Sequence, residues 1–219
     1  MKSVSQILSV LHDLNLKGMN MRKILIAGNW KMNKNLIQTG EFLKSINANL
    51  TFDKNKRFVI APSFVNLEYA VKESSNSPVE ICCQNISEFE EGEYTGEVSA
   101  KMLSSISVPF SLVGHSERRE VFGESDDIVF AKTSLLLENN ITPIFCCGEP
   151  INIRKDNSHL SFVEEQLNLS VFKLKSSEFK KIIIAYEPVW AIGTGETASE
   201  NDISEMHRHI RNLIKKNQA

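Results

Sequence analysis

The sequence predicts an α/β fold on a parallel sheet, either doubly wound or closed into a barrel. Three observations carry that prediction. Six short runs are apolar at consecutive positions, as strands covered on both faces are. The segments between them repeat with a helical period. No Pro-, Gly- or Ser-rich linker interrupts the alternation, so the units belong to one domain.

In chain order, the runs cover residues 23–27, 57–61, 79–83, 110–113, 142–147 and 181–185. Between the second and third, Phe64, Leu67, Ala70 and Val71 fall on one helical face. Between the third and fourth, Val98, Met102, Leu103 and Ile106 do the same. After the sixth run, Ile203, Met206, Ile210, Leu213 and Ile214 form a long apolar stripe. Thr95 and Ser125 each precede a helical face as candidate N-caps, and Ser199 is followed three residues on by Asp202.

Composition narrows the function classes. The 219 residues suit one large domain or two small ones. With 42% apolar and 24% charged residues, the chain is neither disordered nor collagen-like. Its 25 basic and 27 acidic side chains give a charge of −2, so no basic surplus points to nucleic acid or an anionic membrane. No run of about 18 apolar residues suggests a membrane span. The four cysteines form two adjacent pairs, Cys82-Cys83 and Cys146-Cys147. Neighbours on a strand face opposite ways, so reduced buried thiols in a cytoplasmic protein are expected rather than disulfides or a zinc site. Residues 1–20 stand apart. Ile7, Leu8, Val10, Leu11, Leu14 and Leu16 have the spacing of an amphipathic helix, with no signal-peptide core. This stretch reads as an extension ahead of a domain that starts at Met21.

Parallel α/β proteins bind ligands beyond the carboxyl ends of their strands, so candidate site residues lie just past the runs. After the first come Asn29 and Lys31. A loop lysine is ordinarily just solvated, but here it is a candidate cation for an anionic substrate. The fourth run ends on Gly114, His115, Ser116 and Glu117. A lone histidine is usually structural, but one between a turn glycine and a charged cluster suits acid–base work. The sixth ends on Tyr186, Glu187, Pro188 and Trp190. A carboxylate in apolar surroundings has a raised pKa and makes a better general base. Pro188 and the glycines at 193 and 195 bracket a short apolar lid. The GxGxxA pattern starting at Gly193 is a poor dinucleotide fingerprint, because it does not directly follow a strand. Together the three strand ends suit proton abstraction next to a carbonyl, with a carboxylate as base and imidazole and ammonium stabilising an enediolate.

These segments resemble the triosephosphate isomerase family. The matching stretches are AGNWKMN at 27–33, GHSERR at 114–119 and YEPVWAIGTG at 186–195, supported by QNISEFEEGEYTGEVS at 84–99 and CCGE at 146–149. The likeness runs from Met21 to the last residue. It implies a TIM (β/α)8 barrel of which about six of the eight βα units are present, residues 21–219 forming that domain. It implies an aldose–ketose isomerase that interconverts dihydroxyacetone phosphate and D-glyceraldehyde 3-phosphate. Such an enzyme belongs to glycolysis and gluconeogenesis, touches the pentose phosphate shunt, works in the cytoplasm, and needs no cofactor and no metal. Carried over by position, Glu187 is the base and His115 a neutral electrophile. Lys31 and Asn29 contact substrate, Glu117 supports Lys31, and Gly193 offers its N–H to the phosphate from the lid. A homodimer is implied, joined by the loop from Gln84 to Glu97, with Thr95 near the partner's Asn29 and Lys31.

The match departs from the pattern at its end, where strands seven and eight have no counterpart. Loops after those strands usually build most of the phosphate site. The expectation is therefore a fragment with two unpaired parallel edges, unstable or inactive alone. An inactive barrel fragment acting only as a binding remnant, or another phosphate-binding barrel enzyme, are the alternatives.

Overall fold

A computed structural model describes residues 6–11 and 23–217. Seven strands close into one ring in sequence order: β1 (Gln6–Leu11), β2 (Ile24–Asn29), β3 (Lys56–Ala61), β4 (Val79–Cys83), β5 (Phe110–Val113), β6 (Thr142–Cys147) and β7 (Ile183–Tyr186). From β2 to β7 every neighbouring pair is parallel, so all six carboxyl ends lie on one rim. Nine α-helices are described: α1 (Leu36–Asn49), α2 (Leu67–Glu73), α3 (Ala100–Ser105), α4 (Ser116–Phe122), α5 (Asp126–Glu138), α6 (Ile151–Lys155), α7 (His159–Leu169), α8 (Ser176–Phe179) and α9 (Glu200–Asn217).

Alternation along the strands sorts side chains into two cores. Val59, Ala61, Cys82, Phe110, Leu112, Ile144, Cys146, Ile183 and Ala185 fill the barrel interior. Their neighbours Ile60, Cys83, Val113, Phe145, Cys147 and Ile184 face outward into the layer shared with the helices. Each cysteine pair is thus split between the two layers, and all four thiols are free and buried.

β1 overturns two expectations. Residues 6–11 form a strand rather than part of an amphipathic helix. Among the described residues the barrel also has no open parallel edge, because β1 fills the gap. Its first half runs antiparallel to β2, with Gln6, Ile7 and Leu8 opposite Asn29, Gly28 and Ala27. Its second half runs antiparallel to β7, with Ser9, Val10 and Leu11 opposite Tyr186, Ala185 and Ile184. Apolar residues at 7, 8, 10 and 11 fit a helix by spacing alone, but two strand edges offer backbone donors and acceptors that only extended chain can pair. Residues 1–5 and 12–20 of the supposed extension lie outside the described residues.

Smaller differences have local causes. Thr95 caps no helix; Ser99 does, accepting from the backbone N–H of Met102 at the start of α3. The last strand begins at Ile183 because the N–H groups of Lys181 and Ile182 are engaged by Glu178 and Phe179 carbonyls of the preceding turn. Ser125 caps α5, and Asp202 bonds back to Ser199.

Candidate active site

The rim built by the carboxyl ends of β2, β5 and β7 gathers the charged strand-end residues. At β2 the chain turns sharply. Lys31 has φ 53°, a left-handed conformation uncommon for a non-glycine residue. Asn29 holds it there: its Oδ1 accepts the Lys31 N–H at 2.9 Å. Gln84, just past β4, donates from Nε2 to the carbonyls of Lys31 (2.9 Å) and Ala61 (2.8 Å). The backbone is therefore pinned from two sides while the ammonium reaches across the rim. Lys31 Nζ donates to Glu117 Oε1 at 2.7 Å.

At β5, Gly114 has φ 67°, which lets the chain reverse from strand into α4. His115 sits on that turn, 3% exposed. Its Nδ1 accepts the backbone N–H of Glu117 at 3.2 Å. A ring that accepts at Nδ1 carries its proton at Nε2 when neutral, so the donor faces the barrel mouth. There Nε2 lies 3.2 Å from Glu187 Oε1, without hydrogen-bond alignment.

Glu187 follows β7 and is 2% exposed. Its Oε2 accepts the backbone N–H of Ser116 at 3.2 Å, and its own N–H donates to the carbonyl of Cys147 at 2.8 Å. Gly148 makes that approach possible: a Cβ there would stand 1.7 Å from the Glu187 carbonyl oxygen. His115 Nε2 and Glu187 Oε1 are thus two buried polar atoms, side by side, with no hydrogen-bond partner. Native proteins rarely leave such groups unmatched unless something else is meant to bind them.

Lys31, Glu117, His115 and Glu187 form one continuous line of contacts across the rim, with Asn29 beneath Lys31. Gly193 is apart from them. It lies in the exposed segment after Glu187, at φ 71°, and no hydrogen bond among the described residues links it to that line. The segment is held back at its start, where Trp190 Nε1 donates to Glu149 Oε1 at 2.9 Å. Tyr186 OH donates to the same oxygen, also at 2.9 Å, and burial followed by the Glu149 charge pushes the phenol well above its ordinary pKa. Glu149 stands at the end of β6, so the same strand-end rule that singled out Glu187 would have found it.

Beside the rim, Lys132 donates from Nζ to Asn85 Oδ1 at 2.9 Å and to Glu124, which Arg118 also engages. This buried cluster ties the base of the loop after β4 to α4 and α5. Burial pushes the Lys132 ammonium below its ordinary pKa. Burial also raises the thiols, Cys83 to about 12 and Cys82, Cys146 and Cys147 upward too, which makes them poor nucleophiles. No group of His, Cys, Asp or Glu among the described residues is arranged to hold a metal ion.

This rim, on a ring of parallel strands, sits inside a wider match. The family model for triosephosphate isomerase covers residues 24–219. The chain belongs to the triosephosphate isomerase family. Among its relatives, the triosephosphate isomerase of Flavobacterium johnsoniae is 45% identical over 196 residues, 90% of this chain and 78% of that protein. The Flavobacterium psychrophilum enzyme is 44% identical with the same coverage. That of Cytophaga hutchinsonii is 46% identical over 194 residues, 87% of this chain and 76% of its own length. The match begins at β2, so β1 lies outside it.

Proposed function

We infer that the chain interconverts dihydroxyacetone phosphate and D-glyceraldehyde 3-phosphate by proton transfer through an enediolate. The observation that carries this reading is the buried, unpartnered pair of His115 Nε2 and Glu187 Oε1 at 3.2 Å. A carboxylate oxygen and an imidazole N–H facing one small space suit a substrate with an acidic C–H next to a carbonyl. Glu187 takes the proton from carbon. The C–H electron pair becomes the enediolate C=C bond, and the carbonyl π pair moves onto oxygen, where the Nε2–H of His115 meets it. His115 gives its Nε2 proton to that oxygen and takes the hydroxyl proton from the neighbouring one, and Glu187 returns its proton to the neighbouring carbon, which completes the isomerisation with no net oxidation.

Lys31 supplies positive charge to the anionic substrate, and its contact with Glu117 fixes the ammonium above Asn29. The segment from Pro188 to Gly195 acts as a lid that excludes water while the enediolate lives, and Gly193 contributes its N–H to the phosphate once the lid shuts. Residues 21–219 form the catalytic domain. The function places the chain among cytoplasmic enzymes of glycolysis and gluconeogenesis; four free, buried thiols fit a reducing compartment. No helix among the described residues is long and apolar enough to cross a membrane.

We also propose a homodimer through the loop of residues 84–97. Its stacked Phe89 and Tyr94, ring centroids 3.8 Å apart, stay half-exposed, as does Phe64, and Met32 and Val65 stand almost fully in solvent. Exposed apolar side chains grouped on neighbouring rim loops suit a protein partner, and a second copy would bring Thr95 near the partner's Asn29 and Lys31.

The test is a coupled isomerase assay on Glu187→Asp. Withdrawing the carboxylate by one methylene misplaces the base by about 1 Å, which costs on the order of 10²-fold in turnover. An unchanged kcat would remove Glu187 from the role of base.

A further inference from the structure

The lid is tied down at its start, the chain is fixed again just past its end, and one side chain touches both points. At the start Trp190 donates to Glu149 Oε1 at 2.9 Å. Four residues past Gly195, Ser199 donates from its N–H (2.9 Å) and hydroxyl (2.7 Å) to Oδ2 of Asp202 in the first turn of α9. Arg154, from α6, stands between them. Its NH2 donates to the other Asp202 oxygen, Oδ1. Its NH1 lies 3.8 Å from Glu149 Oε1 and 3.6 Å from Glu205 Oε2. Its guanidinium carbon is 5.7 Å from the Trp190 ring centroid.

Two atoms in this cluster are left over. Arg154 NH1 is buried without a hydrogen-bond partner, and so is Glu149 Oε2. They belong to opposite charges already in Coulombic contact. Trp190 and Tyr186 both sit on Oε1, so Glu149 is satisfied on one side while the lid is held back. Arg154 NH1, 3.8 Å from Glu149 Oε1, adds its charge to the side of Glu149 that holds Trp190.

We propose that Arg154 is a positioning residue of the lid: it bridges Glu149 at the near hinge and Asp202 beyond the far end, and so holds the lid back. The two points then move as one unit. Arg154 itself touches no reacting atom. Lysine cannot do the same work, because its single ammonium lacks the fork that spans two carboxylates.

The inference rests on the lid of the proposed isomerase, and the test separates the two. Amide hydrogen exchange of residues 189–195 is measured in the ligand-free chain, where no catalysis is needed. Arg154→Gln is expected to speed lid exchange about tenfold, the scale of one lost charge-assisted hydrogen bond, while exchange in β5 and β6 stays unchanged. Arg154→Lys, which keeps the charge in case the glutamine variant fails to fold, is expected to recover only part of the protection. In a background of Trp190→Phe, which already lacks the near tie, Arg154→Gln should add little, because the ties act together. Affinity for 2-phosphoglycolate forms the second arm: Arg154→Gln should weaken it about tenfold and raise KM for triose phosphate more than it lowers kcat. Unchanged lid exchange in both Arg154 variants, or full additivity with Trp190→Phe, overturns the proposal. If the parent chain fails to bind 2-phosphoglycolate while Arg154→Gln still loosens the lid, the isomerase reading falls and the hinge assignment stands.

Discussion

Removing β1 is the most direct perturbation of this barrel. The strand contributes three register pairs with β2 and three with β7. It splits its pairing, so each half has one neighbour, and the closure is thinner than a full strand-on-strand ladder. Taking about one ladder hydrogen bond per pair at ~0.5–1.5 kcal/mol net, deletion of residues 1–11 costs ~3–9 kcal/mol. That is a large part of the ~5–15 kcal/mol that holds a domain folded. At ~2–4 °C per kcal/mol for a chain of this size, the melting temperature should fall by ~6 °C or more. Deletion also reopens two parallel edges, so the shortened chain should self-associate on heating.

Two point variants divide the effect. Leu8→Pro strikes the half paired with β2, and Val10→Pro the half paired with β7, each removing a backbone donor and fixing φ. Circular dichroism melts and light scattering give the readout. Because Gln6 lies level with Asn29 on the active rim, the Leu8→Pro variant should also weaken substrate binding more than the Val10→Pro variant does. If the chain lacking residues 1–11 melts within a degree of the full chain and stays monodisperse, β1 does not close the barrel and the ring is stable open.

Two other outcomes follow from side chains outside the line from Lys31 to Glu187. His207, on α9 with its ring set edge-on to Tyr186, is held below its ordinary pKa of 6.5 by burial first and the Arg211 charge second. The unfolded chain therefore binds the extra proton more readily, so this contribution to stability is complete above about pH 6.5 and is lost as pH falls below it. Urea midpoints at pH 7.5 and pH 5 should differ less in His207→Gln than in the parent; an equal or larger drop in the variant would count against the burial argument. The proposed dimer predicts a two-chain mass by sedimentation equilibrium, shifted toward one chain by Val65→Asp, whose wild-type side chain is 85% exposed. A single-chain mass for the parent at micromolar concentration would refute the interface.

The six parallel strands were legible as short, mostly apolar runs; β4 to β7 are buried nearly throughout, whereas β2 leaves Ile24 and Ile26 exposed on its outer face. The ranges Val79–Cys83, Phe110–Val113 and Thr142–Cys147 match the runs residue for residue. The site was legible for a related reason: where a parallel strand ends, the next residues have nowhere to point but the rim. Asn29, Lys31, His115, Glu117 and Glu187 all stand at such ends. Glu149 stands at a strand end too and was open to the same rule, whereas Arg154, an arginine in a short helix, carries no such signal. Their importance lies in contacts across more than 30 residues of chain.

β1 was illegible for a different reason, and it bears on function. Its pattern is ambiguous between helix and strand, and the deciding influence is not in its own residues. The edges of β2 and β7 decide it, by presenting unmatched backbone groups to whatever extended segment can reach them. That closure is uneven on the outside. Ile184 and Tyr186 on the outer face of β7 are buried in the layer they share with α9, whereas Ile24 and Ile26 on β2 remain 57% and 39% exposed. One antiparallel strand therefore satisfies the backbone of the gap without supplying the helical cover a βα unit would bring. The line of contacts from Lys31 to Glu187 depends on the β2, β5 and β7 ends keeping their spacing, and β2 is the member with least outside support. Loss of β1 should thus separate Lys31 from Glu117, 2.7 Å apart when the ring is closed, before it disturbs His115 and Glu187, which are braced by β6 through the Cys147 carbonyl. A chain without β1 that kept full affinity for an anionic substrate analogue would show that β2 holds its place unaided.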